Sequence, residues 1–196
     1  MTELVIILDR SGSMGNIAKS ASEAVNNYIN EQKNGPDKCN ITVWEFDNII
    51  NQLVPRTPIE DCPVVAIKAR NSTKLYDAIG EAIVETNTVI NKARRKRPTV
   101  LFVIQTDGLE NSSIKYDKSK IKELILENQA KGDQFIFLGA NFMDQQAQDI
   151  GISVTNSVGF DQSAQAYHNS FSLTSRETKN LRAANVAGQS YSISMK

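Results

Sequence analysis

Five oxygen-bearing side chains in three separate segments of this chain have the types and spacing to hold a cation. Asp9, Ser11 and Ser13 alternate along Asp9-Arg10-Ser11-Gly12-Ser13, Thr73 stands in a hydroxyl-rich stretch, and Asp107 precedes Gly108. Oxygen is the ligand type that Mg²⁺ and Ca²⁺ prefer. Alternate spacing lets one loop turn three side chains toward a single point. Two carboxylates brought to that point repel unless a cation or a proton intervenes. An anion loop at a helix amino terminus is the competing reading of residues 11–15, because a helix dipole presents about half a positive charge there. Two carboxylates outweigh that dipole. Gly12 and Gly15 also match neither GxGxxG nor GxxxxGK, so a nucleotide role is set aside.

The elements that must position these residues are legible in the hydrophobic pattern. Leu4-Val5-Ile6-Ile7-Leu8 and Val100-Leu101-Phe102-Val103-Ile104 are uninterrupted apolar runs, the pattern of strands buried on both faces of a parallel sheet. Each leads to an aspartate at its carboxyl end, where open α/β sheets bind ligands. As parallel neighbours, the two strands would place Asp9 and Asp107 about one strand spacing apart, roughly 5 Å. Between them, Ile17, Ala21, Ala24, Val25 and Tyr28 recur at helical spacing over residues 16–33, and Gly35-Pro36 ends that helix. Residues 41–46 read as a second strand, Asp47-Asn48 as a turn, and 49–54 as a short antiparallel edge strand. Pro55, Pro58 and Pro63 mark an irregular connection.

Leu75, Ile79, Ala82, Ile83 and Ile90 define a long amphipathic helix with Thr73 at its mouth. Beyond the second apolar run, a helix around Ile121, Leu124 and Ile125 stops at Gly132. Residues 135–138 read as a buried strand, 144–150 as a short helix and 152–154 as a last strand. After Gly159 the pattern weakens: residues 161–185 read as helix, and the polar end from Gln189 as a fraying tail. Strands alternating with helices imply an α/β doubly wound fold, a mostly parallel sheet with one antiparallel edge strand and helices on both faces. No linker divides the chain. Residues 1–196 are expected to form one domain, with a core over about 3–155 and a carboxyl-terminal extension over about 156–196.

Composition narrows the function classes. The 22 Lys and Arg balance 22 Asp and Glu, which removes any general attraction to nucleic acid or anionic membrane. No apolar run approaches the roughly 20 residues that cross a bilayer. With no leader-like segment at its start, the protein is expected to be cytoplasmic. Cys39 and Cys62 form no CxxC pair and read as reduced, inert thiols. The basic run from Lys92 to Arg97 reads as a solvated helix end complementing the dipole. Trp44 is expected in the core, and His168, the only histidine, as structural or exposed.

Asp9-Arg10-Ser11-Gly12-Ser13, with Thr73 and Asp107-Gly108 downstream, resembles the metal-ion-dependent adhesion site of von Willebrand factor type A domains. The resemblance covers about residues 3–155, and Arg10 and Gly12 occupy positions where that motif is variable. The wider text, Thr73-Lys74-Leu75-Tyr76-Asp77-Ala78-Ile79, Thr106-Asp107-Gly108 and Phe135-Ile136-Phe137-Leu138-Gly139-Ala140-Asn141, is similar to compact free-standing members from bacteria and phages. The resemblance implies Mg²⁺ at the top of the sheet, with Mn²⁺ or Ca²⁺ as alternatives. It implies Ser11 and Ser13 as direct ligands, Thr73 as a ligand directly or through water, and Asp9 and Asp107 acting through water. Neutral hydroxyls leave the ion much of its charge, so the resemblance also implies a partner protein whose Asp or Glu completes the site. Family members work beside AAA+ ATPases, which makes such a partner an expectation by analogy alone.

The expected function is therefore a non-catalytic, Mg²⁺-dependent protein-binding module. Its rival is a metal-dependent hydrolase of phosphate esters. Against that, Ser11 stands where aspartyl-phosphate phosphatases carry a second aspartate, and no histidine accompanies the site. A scaffold or assembly protein with a structural metal is a third reading. Met14, Asp47, Glu110 and Asn111 fall on a candidate partner-contact rim. Asp47 also reads as a turn former, and Glu110 and Asn111 equally as loop residues with no contact role.

Overall fold

A computed structural model describes residues 1–70, 72–93, 96–140, 144–161 and 163–196. Among them six strands, β1 (Thr2–Asp9), β2 (Cys39–Phe46), β3 (Ile50–Pro58), β4 (Thr99–Thr106), β5 (Gln134–Ala140) and β6 (Ser157–Phe160), form one sheet in the order β3-β2-β1-β4-β5-β6. All neighbours are parallel except β2 and β3. All eight residues of β1 are buried, which explains its unbroken apolar run: with strands on both sides and helices on both faces, neither face meets water. Ile6 sits opposite Val43 of β2 and Val103 of β4.

Side chains alternate between two cores, as the pleat requires. Leu4, Ile6 and Leu8 pack with Ala21, Val25 and Tyr28 of α1 (Ala18–Lys33) and with Tyr167, Phe171 and Leu181 of α5 (Ala164–Ala187). Val5 and Ile7 pack on the other face with Leu75, Ile79 and Ile83 of α2 (Leu75–Lys92), Ile121 and Ile125 of α3 (Lys118–Ala130), and Ala147 of α4 (Asp144–Asp149). Trp44 is buried in this second core. The chain runs β1, β2, β3 toward one edge and β4, β5, β6 toward the other. The direction reverses between β1 and β4, and their carboxyl ends open a crevice there.

Three expectations need correction. The edge strand continues to Pro58 through Pro55 instead of breaking into an irregular connection. Proline lacks only the N–H, and an edge strand can turn that side outward. The last strand is residues 157–160, while 154–156 form a 3₁₀ turn; Ile152 is buried without joining a ladder. The end beyond Gln189 does not fray. Ile193 and Met195 are buried against the first core, and Met195 N donates to Thr155 O at 2.7 Å.

The weak pattern after Gly159 has a physical origin. The face of α5 turned toward α1 carries Ser170, Thr174, Ser175, Thr178 and Arg182 as buried residues. Tyr28 and Thr178 share a 3.0 Å hydroxyl hydrogen bond, and Gln32 Nε2 donates to Ser175 Oγ at 2.9 Å. Arg182 caps the end of α1 by donating to Gln32 O and to Asp37. A helix that packs through hydroxyls shows little hydrophobic periodicity. The carboxyl-terminal segment expected as an extension thus completes the first core. Ile193→Ala is expected to cost about 2 kcal/mol, read as a lowered urea midpoint; an unchanged midpoint would show that the tail is loose in solution.

Candidate metal centre

Parallel pairing of β1 with β4 puts Asp9 and Asp107 at the same end of adjacent strands. Asp9 ends β1, and Asp107 follows Thr106, the last residue of β4. Both carboxylates are buried. Asp9 Oδ1 accepts from Ser11 N at 2.7 Å, and its Oδ2 accepts from the Thr106 hydroxyl. Thr106 Oγ1 in turn accepts from Gly108 N at 3.2 Å. Ser13 Oγ donates to Asp107 Oδ1 at 2.7 Å and lies 3.0 Å from Ser11 Oγ. Thr106 is a member of this network that the sequence pattern did not single out.

Thr73 joins the group from the far side. A methyl group placed on Gly108 would lie 3.2 Å from Thr73 Oγ1 and 3.8 Å from both Asp9 Oδ2 and Ser11 Oγ. Two segments therefore bring oxygens within 4 Å of one small volume beside the third, where glycine at position 108 leaves it open. An open depression of about 520 Å³ lies above, walled by residues 11–13, 72–73 and 108–111. Among the described residues no three His, Cys, Asp or Glu side chains gather at one point, so a cation site must draw on hydroxyls. Two carboxylates and three hydroxyls suit a hard divalent ion.

The electrostatics point the same way. Burial pushes the Asp9 carboxyl up to about 6, against hydrogen bonds from Thr106 and Ser11 that favour the anion, and the charge of Asp107 raises it further. Burial also raises Asp107. The adjacent Arg10 does not neutralise them. Its Nη1 donates to Glu45 Oε1 at 2.8 Å, and its Nε lies 3.3 Å from Asp47 Oδ2. A positive ion in the cleft would favour the charged form of both buried carboxylates.

The loop after β4 is held to the start of α2 by reciprocal bonds. Glu110 accepts from Tyr76 N at 2.9 Å and from Ser112 N and Ser113 N at 2.8 and 2.7 Å. Asn111 Oδ1 accepts from Thr73 N at 3.0 Å. In return, Asp77 accepts from Ile114 N, Lys115 N and Tyr116 N at 2.8–2.9 Å. Gly80 allows the Tyr116 ring to lie flat on α2, since a Cβ there would fall 2.6 Å from it. Nothing in the sequence marks Asp77, because a lone helical carboxylate carries no signal of what it will accept.

Of the four residues expected on a contact rim, the structure places two elsewhere. Met14 is fully buried: the 3₁₀ turn Gly12–Asn16 points it inward, where its Sδ lies 3.2 Å from the Tyr167 hydroxyl. Gln105, one residue before Thr106, donates to that same hydroxyl at 2.6 Å. Asp47 is also fully buried. Its Oδ1 accepts from Ile49 N at 2.6 Å, which is the turn-forming role. Glu110 and Asn111 do line the depression, together with Leu109, an exposed apolar residue that the sequence reading passed over.

The remaining candidates lie away from the crevice. His168 lines a separate depression between α1 and α5. Arg97 pairs with Asp133, while Arg94 and Arg95 of the basic run, and Asn141, lie outside the described residues. Cys39 and Cys62 are free and buried, and burial pushes the Cys39 thiol up to about 12. Among the described residues no helix is long and apolar enough to cross a membrane.

A sequence model of the von Willebrand factor type A domain matches residues 3–165. The chain belongs to this family. No curated protein matches the sequence. The type A fold recurs in solved structures of low identity. One is proximal thread matrix protein 1 from the mussel byssus, with a zinc-occupied MIDAS motif: TM-score 0.66, 14% identity, 88% of this chain and 46% of that one. Another is the von Willebrand factor domain of the type V pili tip protein from Porphyromonas gingivalis: TM-score 0.64, 11% identity, 98% of both chains. A third is the manganese-loaded TRAP protein of Plasmodium vivax: TM-score 0.58, 14% identity, 83% of this chain and 69% of that one. The chain thus spans less than half of the mussel protein's chain.

The raised Asp9 carboxyl yields a signed prediction for the metal-free type A domain. The folded state takes up a proton near pH 6 and the unfolded state near 3.8, so stability falls as pH rises through that window. At about 1.4 kcal/mol per pH unit, the full effect is on the order of 3 kcal/mol. In EDTA, wild type should lose stability relative to Asp9→Asn between about pH 4 and pH 7. Parallel pH profiles of the two melting temperatures would rule out a strained Asp9 carboxylate.

Proposed function

We propose that this type A domain is a divalent-cation-dependent protein-binding module. Mg²⁺ is the proposed ion, held by Ser11, Ser13, Thr73, Asp9 and Asp107. The observation that carries the reading is the convergence of Thr73 Oγ1, Asp9 Oδ2 and Ser11 Oγ on the open volume beside Gly108. A divalent ion bound there supplies a positively charged coordination position for a carboxylate from outside. The chain's own residues do the rest. Ser11 and Ser13 present neutral oxygens, so they do not quench that charge. Asp9 and Asp107 hold the hydroxyls in place and balance the charge from below. The depression above is open to solvent, which suits an Asp or Glu projecting from a partner protein.

The solved relatives support the metal part of this reading, since one is described with zinc in its MIDAS motif and another as manganese-loaded. One of them is a thread matrix protein, and two further proteins of this fold are a pilus adhesin and a pili tip protein, which supports binding rather than catalysis. We assign residues 1–196 to one functional unit, because α5 and the tail complete the first core. The two free, buried thiols fit the reducing cytoplasm expected from the sequence.

Calorimetry with Mg²⁺ and Mn²⁺ tests the site directly. Wild type should bind one ion, and Asp107→Ala or Thr73→Ala should weaken binding at least about tenfold while folding normally in EDTA. Partner capture should require Mg²⁺ and be lost in Asp107→Ala. Wild-type capture by that variant, or capture unaffected by EDTA, would move binding to another surface. Metal-dependent turnover of a phosphate ester would replace the module with a hydrolase.

A further inference from the structure

Among the proposed ligands, Thr73 alone lies on a segment that does not lead directly out of a sheet strand. The described part of residues 62–74 has no regular secondary structure, yet Thr73 Oγ1 must be held to within a fraction of an ångström to serve with Ser11. Side chains of α1 hold the start of this segment. Asn26 accepts from Val65 N at 2.9 Å and donates to Val65 O at 2.7 Å, and Ser22 Oγ accepts from Ile67 N at 2.9 Å.

The end of the segment is held differently. Asp47, wholly buried, faces both halves of the site. Its Oδ2 lies 3.3 Å from Arg10 Nε and accepts from Arg70 Nε at 3.0 Å, and its carbonyl accepts from Lys74 N at 3.0 Å. Arg10 sits between Asp9 and Ser11, and Lys74 follows Thr73. Arg70 N also donates to Arg10 O at 2.7 Å, and Arg10 N to Phe46 O at 2.9 Å. Asp47 is thus tied through its carboxylate to Arg10, the residue before Ser11, and to Arg70, and through its carbonyl to Lys74, the residue after Thr73.

Buried ion pairs add little to net stability compared with apolar packing, so stability alone gives a weak reason for this one. We propose that Arg10, Asp47 and Arg70 form a clamp that sets the separation of Ser11 and Thr73. Asp47 and Arg70 are then positioning residues for the cation site. This rests on the metal-binding reading of that site. Asp47, expected on the partner-contact rim, acts instead from beneath, through the segments on either side.

Arg70 allows a clean test, because its side chain is 52% exposed and its loss leaves no cavity. Asp47→Asn leaves the buried Arg10 partly unpaired and risks misfolding. Arg70→Gln is the primary variant and Arg70→Lys the charge-retaining control. In EDTA the melting temperature of Arg70→Gln should stay within about 2 °C of wild type, as for an exposed ion pair. Amide exchange over residues 66–74 should nevertheless quicken, and Mg²⁺ affinity should fall about tenfold. Arg70→Lys should recover part of both.

The double variant with Thr73→Ala should bind Mg²⁺ no worse than Thr73→Ala alone, since no ligand is left to position. Unchanged exchange together with unchanged affinity would overturn the clamp, as would losses that add in the double variant. If wild type binds no Mg²⁺, the metal reading fails by itself. The clamp then stands or falls on the exchange rates in EDTA.

Discussion

Two carboxylates cannot be brought to the same buried crevice without something to hold them there, and the parallel pairing of β1 with β4 does bring them. Burial disfavours each charge, and Arg10, the chain neighbour of Asp9, pairs instead with Glu45 and Asp47. The fold offsets part of the strain with the Ser11 amide and the Thr106 and Ser13 hydroxyls. These groups also orient the oxygens toward one point. The strain that remains is the physical basis of the proposed affinity for cations, and Gly108 leaves room for one.

Around that pair, other acids and amides serve a different purpose. Glu110, Asp77, Asn111 and Asp47 accept from backbone N–H groups, each in a loop or at the first turn of a helix. Such acceptors stiffen segments that have no ladder of their own. A divalent ion needs donors fixed closely in space, and here they arrive from the exit of β1, the mouth of α2 and the exit of β4. The acid-rich loops are therefore mostly scaffolding: among the described acids, Asp9 and Asp107 bound the crevice itself, while Glu110, on the wall above, is tied to backbone N–H groups. The same scaffolding presents Leu109 to solvent on the wall of the depression, in reach of whatever approaches the site.

The floor of the site belongs to α5. Tyr167 is buried against Phe160, and its hydroxyl lies between Met14 Sδ and Gln105 Nε2. Gln105 leads directly into Thr106 and Asp107, and Met14 follows Ser13. The helix after the last strand thus contacts the turn after β1 at Met14 and the end of β4 at Gln105, and its hydroxyl-lined face seats it on α1. This makes the carboxyl-terminal segment part of the site's support.

The sequence by itself determined the strands that end in Asp9 and Asp107, the doubly wound order, and the five oxygens worth bringing together. Those features rest on local signals: unbroken apolar runs, helical spacing, and residue types at fixed offsets. Only the tertiary structure decided which polar residues face the cleft and which tie loops together, because a carboxylate looks the same in sequence whether it meets a metal, an arginine or an amide. Met14 and Asp47 turned inward for that reason, while Thr106, Asp77 and Arg70 came forward. The structure also decided the place of α5, whose buried serines and threonines read as surface until another helix supplies their partners.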